Sequence, residues 1–218
     1  MSSRRCAIIA ALFVATGCEA SAPPQPAAAP TPPVAPKPVA FASSDARWGK
    51  FHSKRFRLQL PLPDGKTWRI DDHSKEELVA THEATHTRLR LLATKEEELV
   101  NRAKCEERAR ARGWVTGELT TVEDAVTVGP EAYDSRMWVA LAVARPGAPL
   151  AGHVYLFGAF IRSCLLVHVT TDVPGANDED VLSARLAVAR ARIVTGIRLD
   201  PPRTGDDGVP RENAARPR

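Results

Sequence analysis

The 218-residue chain has no G-x-S-x-G turn for a nucleophilic serine, no glycine-rich phosphate loop and no C-x-x-C pair. These absences remove the common sequence routes to serine hydrolysis, nucleotide binding and dithiol redox chemistry. No unbroken apolar run reaches the about 20 residues that a membrane-spanning helix needs, and no internal repeat is visible. Basic residues are not gathered into one block either. The densest stretch, residues 102–112, also holds Glu106 and Glu107, the pattern of a solvated helix face rather than a nucleic-acid surface. No nucleic-acid partner and no cofactor are expected.

What is present starts at the N-terminus. Arg4 and Arg5 precede the apolar run 6–15, which together make the charged start and short greasy core of an export signal. The run closes with Ala15-Thr16-Gly17-Cys18, which resembles the lipobox of bacterial lipoproteins, small residues before a cysteine that is acylated and becomes residue one after cleavage. Ala15 stands where leucine is usual, and the Gly17-Cys18 pair carries the resemblance. It implies lipidation at Cys18 and tethering to a membrane; Glu19, in place of aspartate, implies sorting to the outer membrane, with the domain in the periplasm or at the cell surface. Each buried methylene of such an anchor contributes about 0.8 kcal/mol, so acyl chains hold a soluble domain without a spanning helix. Loss of residues 1–17 removes Arg4 and Arg5 and lowers the formal charge from +4 to +2.

Composition divides the rest. Residues 18–47 hold the lipidated cysteine and a linker rich in Ala and Pro, including Pro23, Pro24, Pro26, Pro30, Pro32, Pro33, Pro36 and Pro38, which favours an extended stalk. Residues 48–199 carry the apolar periodicity of one globular domain, and residues 200–218, rich in Pro, Gly and charge, read as a disordered tail. With Cys6 in the leader and Cys18 acylated, Cys105 and Cys164 remain in an exported domain. A disulfide between them is expected, the alternative being two buried free thiols. A helix over residues 95–112 with Leu99 on its buried stripe turns Cys105 about 120° away from that stripe, within reach of a flanking strand only.

Within the domain, Phe56, Leu58 and Leu60 alternate with polar residues, followed by a turn over 61–65 and a second short strand at Trp68 and Ile70. Residues 78–93 place β-branched or apolar side chains at every odd position but 83 and predict a strand pair. Thr94 with Glu97 forms a capping box and Gly113 a stop, predicting a helix over 95–112. The apolar run in 135–144 predicts a strand covered on both faces, in the middle of the sheet. Residues 152–173 predict a hairpin turning at 161–163. Asn177 opens a helix with Leu182, Leu186, Ala189 and Ile193 on one stripe, ending at Gly196. Strands, helix, strands, helix is an α+β order: an antiparallel β-sheet with two main helices packed on it. In this order of elements, from the proline turn and tryptophan of residues 56–68 to the closing helix, the chain resembles the Mog1/PsbP-like fold, an α/β/α sandwich. That resemblance implies a binding or assembly factor without catalysis, and it transfers no site residues.

One motif points elsewhere. His82-Glu83-Ala84-Thr85-His86 is formally H-E-x-x-H, in which a helix brings two histidines to one face for zinc while the glutamate activates metal-bound water. On that reading His82 and His86 are metal ligands, Glu83 is the base and the chain is a zinc metallopeptidase. Physical points oppose it. Val79, Thr81, Thr85 and Thr87 lose side-chain freedom in a helix. A helix here would run on into 95–112 with no Pro or Gly between them, and the third ligand would have to be Glu106 or Glu107 on a solvent-facing helix. A strand is expected instead, with His82 and His86 on one face and Glu83 on the other. The sequence therefore reads as a tethered, non-catalytic binding or accessory module of the cell envelope, its partner an envelope protein or other component, with the zinc peptidase as the alternative.

Overall fold

The computed structural model describes residues 37–41, 45–143, 145 and 147–201; residues 1–36, with Cys18 and the segment read as an export signal, and most of 200–218 lie outside the described residues. In chain order the strands are β1 (Gly49–Ser53), β2 (Leu58–Leu62), β3 (Arg69–Asp71), β4 (Leu78–His82), β5 (Thr87–Lys95), β6 (Leu119–Val126), β7 (Asp134–Ala142), β8 (Leu150–Phe160), β9 (Ser163–Val173) and β10 (Arg198–Leu199), with helices α1 (Arg102–Ala111) and α2 (Glu179–Val188). Seven strands form one antiparallel sheet in the order β3-β4-β5-β9-β8-β7-β6. The small sheet β1-β2-β10, which sequence periodicity did not separate from the first, is also antiparallel.

The two-residue period of the strands sorts side chains between two cores. Along β9, Leu165, Val167 and Val169 join α2 and the inner face of β2, while Cys164 and Leu166 join Cys105 and Ala109 of α1. Along β8, Val154 and Leu156 face the α2 side, and Tyr155 and Phe157 the α1 side. The fold is α+β with one helix on each face of the large sheet. On the stripe predicted for the closing helix, Leu182, Leu186, Ala189 and Ile193 are all buried; past Val188 the helix widens into π-helical turns over Ala189–Val194.

Three expectations are corrected. The first helix starts at Arg102, not after Thr94, and is capped by Asn101, whose side chain accepts from the Lys104 N–H at 2.9 Å. Thr94 and Lys95 are still paired with Cys164 and Ser163, and a ladder across two long strands outcompetes a capping box. Leu99 consequently lies before the helix and is 75% exposed, and the buried face of α1 is the Cys105–Ala109 pair. The middle strand is β9, and β7 lies next to the edge, because β6, unmarked by any strong alternation, pairs outside it. Finally, the segment read as linker up to residue 47 contributes Phe41, 7% exposed, to the core.

Candidate functional site

The H-E-x-x-H residues do not form a helix. His82 ends β4, Glu83–Thr85 make a single 3-10 turn, and His86 takes left-handed backbone angles (φ 47°) that reverse the chain into β5. His82 is 4% exposed, its ring against Phe41 and Trp68 at centroid distances of 5.6 and 5.2 Å, with Nδ1 hydrogen-bonded to Thr85 Oγ1 at 2.7 Å. Burial lowers its pKa. His86 is exposed beside Asp172, and Glu83 is exposed beside Arg69. The turn breaks the common strand face expected for the two histidines: one is a core ring, the other a surface group. Among the described residues no group of three or more His, Cys, Asp or Glu is placed to hold a metal ion. The residues do not fit a zincin centre.

What the turn does serve is a buried arginine that sequence reading passed over. Arg185 of α2 is 2% exposed and donates to the backbone oxygens of Thr85 (2.9 Å), Asp172 (2.7 Å) and Val39 (2.5 and 2.8 Å). Its position three residues after Leu182 puts it on the buried stripe, a signal that its charge disguised. Desolvation lowers its pKa, with the nearby Asp172 and Asp178 opposing. The guanidinium thus ties three separate pieces together: the strap at residues 37–41, the turn after β4 and the end of β9.

On the α1 side of the sheet lies a second cluster. His153 Nδ1 and His168 Nε2 are 3.1 Å apart, one donating to the other, and Tyr155 stacks on His168 at 4.4 Å. Trp114 covers His168 and carries Arg90 over its own ring at 4.4 Å. His168, 7% exposed, has its pKa pushed down to about 3 by burial first, then by His153, Arg90 and Arg88. Its unfolded value is about 6.5. Because the unfolded chain binds the extra proton, the stabilisation is complete above pH 6.5 and is lost as pH falls toward 3. His168→Phe should flatten the fall in urea-unfolding free energy between pH 6.5 and 4; an unchanged slope would refute this role.

The expected bridge is present: Cys105 and Cys164 form a disulfide with Cα atoms 5.5 Å apart. It joins the buried face of α1 to the central strand, not to a flanking one, because the helix register differs from that read in the sequence.

The most ligand-like feature is a cleft of about 560 Å³ between β1 and β3, each the edge strand of its sheet. That volume lies within the range of small-molecule sites, roughly 300–1,000 Å³. Trp48, Phe51, Leu62 and Ile70 supply apolar walls, and Arg47, Lys50 and Lys66 supply cations. Gly49 and Gly65 meet backbone to backbone here: a Cβ on either would stand 2.6 to 2.9 Å from the other's Cα. No sequence signal marked this place, since its residues come from several short strands and turns. A wider hollow of about 1160 Å³ between residues 94–101 and α1 is lined mainly by charged and polar groups.

No known protein family matches the chain, and no characterised protein matches it in sequence. Among solved structures it is similar to the Saccharomyces cerevisiae Ran-binding protein Mog1p (9% identity, TM-score 0.48, covering 70% of this chain and 95% of that one). A mutant of Mog1 gives 8% identity and a TM-score of 0.49 over the same shares. LpqN of Mycobacterium tuberculosis, involved in cell envelope biogenesis, gives 12% identity and a TM-score of 0.41, covering 71% of this chain and 91% of that one.

Proposed function

We propose that this chain is an exported lipoprotein, acylated at Cys18 and held at a membrane by residues 18–36, whose domain binds a component of the cell envelope in the Trp48 cleft without transforming it. The cleft is the observation that carries the binding reading: an apolar-walled concavity with exposed lysines where the edges of two sheets meet. The leader, the Gly17-Cys18 pair and the disulfide support export to an oxidising compartment. Within the H-E-x-x-H segment, His82 serves the fold as a packed ring and Thr85 as an acceptor for Arg185, while Glu83 and His86 are surface groups.

Two measurements test the two halves. Radiolabelled palmitate should enter the full chain and be absent from the Cys18→Ala variant; label retained by that variant would refute the anchor. The unacylated full chain carrying Cys18→Ala should bind about one equivalent of the neutral dye Nile red, with at least tenfold weaker binding after Phe51→Asp. Equal dye binding by both would remove the cleft as the binding site.

A further inference from the structure

The Trp48 cleft has a chemical bias that its shape alone does not convey, and it bears on what the domain binds. Arg47 is neutralised by Asp64 at 2.6 Å, whereas Lys50 and Lys66 are exposed with no ion pair among the described residues. The same cleft is lined by the rings of Trp48 and Phe51 and the aliphatic Leu62 and Ile70. Trp48 is held by Arg192, whose guanidinium lies 4.0 Å from its ring centroid, and its indole N–H is buried with no acceptor among the described residues. An apolar slot with two cations that have no ion pair among the described residues is complementary to a molecule with an apolar body and an anionic, oxygen-bearing head.

Position narrows the source. Phe41, at the end of the strap through which the chain arrives from residue 18, stacks on Trp68 at 6.2 Å. Trp68 directly follows Lys66 and Thr67 of the cleft lining, so the described segment 37–41 packs against a residue adjacent in sequence to the cleft. The glycine pair shows that the slot is built: side chains at 49 and 65 would prevent the close approach of β1 to the turn after β2. We propose that the cleft takes one anionic amphiphile, an acyl chain bearing a phosphate or carboxylate head, from the membrane to which the chain is tethered. This rests on the binding reading above and adds the ligand class and its source.

The test uses the full chain with Cys18→Ala, which has no acyl group of its own, titrated below the micellar range and followed by NMR. Decyl phosphate should saturate with shifts at the Trp48 indole N–H and the Gly49 and Gly65 amides. Decyl maltoside should bind at least tenfold more weakly, and inorganic phosphate should leave those signals in place. The double variant Lys50→Glu/Lys66→Glu should weaken decyl phosphate at least tenfold while keeping its Nile red binding, which shows that fold and cleft are intact. Equal binding of the two decyl compounds, or charge reversal without effect, would overturn the anionic class and leave the cleft as a neutral apolar site. Shifts produced equally by inorganic phosphate would overturn the amphiphile, and decyl phosphate shifts confined to other surfaces would overturn the proposal outright.

Discussion

Replacing Arg185 with alanine should cost the domain about 1 to 3 kcal/mol, the range for leaving buried polar groups without their hydrogen-bond partner. The expected loss is of acceptor satisfaction more than of charge pairing. The part-buried oxygens of Val39 and Asp172 lose the guanidinium, while the buried Thr85 oxygen keeps the Thr87 and Thr171 hydroxyls as donors; an unsatisfied buried polar group costs about 1 to 3 kcal/mol. Arg185→Met keeps most of the volume and should recover only the packing part. Because Val39 is held by this contact, both variants should also raise hydrogen exchange at the Phe41 amide beyond the change expected from global stability alone. Urea unfolding is the primary readout; a loss below about 1 kcal/mol would show that the strap and the turn do not depend on the arginine.

Leu186→Ala should cost about 2 to 5 kcal/mol by opening a cavity in the core under α2. Leu186 is buried, and its packing partner is the backbone of β8: a Cβ on Gly152 would come within 2.6 Å of a Leu186 methyl. Gly152→Ala alone should therefore also destabilise by steric conflict. The double variant should be less destabilised than the sum of the two, since the added methyl enters space that the leucine vacates. Arg190→Ala, which loses only a half-exposed pair with Glu123, should change stability by less than about 1 kcal/mol. Additive effects of the 152 and 186 changes, or equal losses at 186 and 190, would contradict this packing. Thermal melting measures all four.

The readable parts of this chain are those in which periodicity and burial agree. The hairpin β8–β9 was marked by β-branched and aromatic residues on either side of a polar break at Arg162 and Ser163, and it forms with its turn at that break. Residues 78–93 alternate through both arms of a second hairpin, β4–β5, so strand geometry at the H-E-x-x-H motif could be argued against the helix that a zinc site needs. By contrast, β6 carries exposed valines and acidic residues with a bulge between Thr121 and Glu123, and its alternation is too weak to read. β1 and β10 are short, and β10 exists only because β2 offers it an edge.

Local sequence thus determined the α+β order, the two hairpins, the closing helix and the candidate cysteine pair, because each rests on spacing within a few residues or on composition. Tertiary structure alone decided that Cys105 faces the core, since the start of α1 depends on how far the β5–β9 ladder runs. It alone made Arg185 a core residue, through acceptors 13, 100 and 146 positions away. The Trp48 cleft, too, arises only where the edges of two separate sheets come together, because long-range contacts, not local propensity, set which short segments become neighbours.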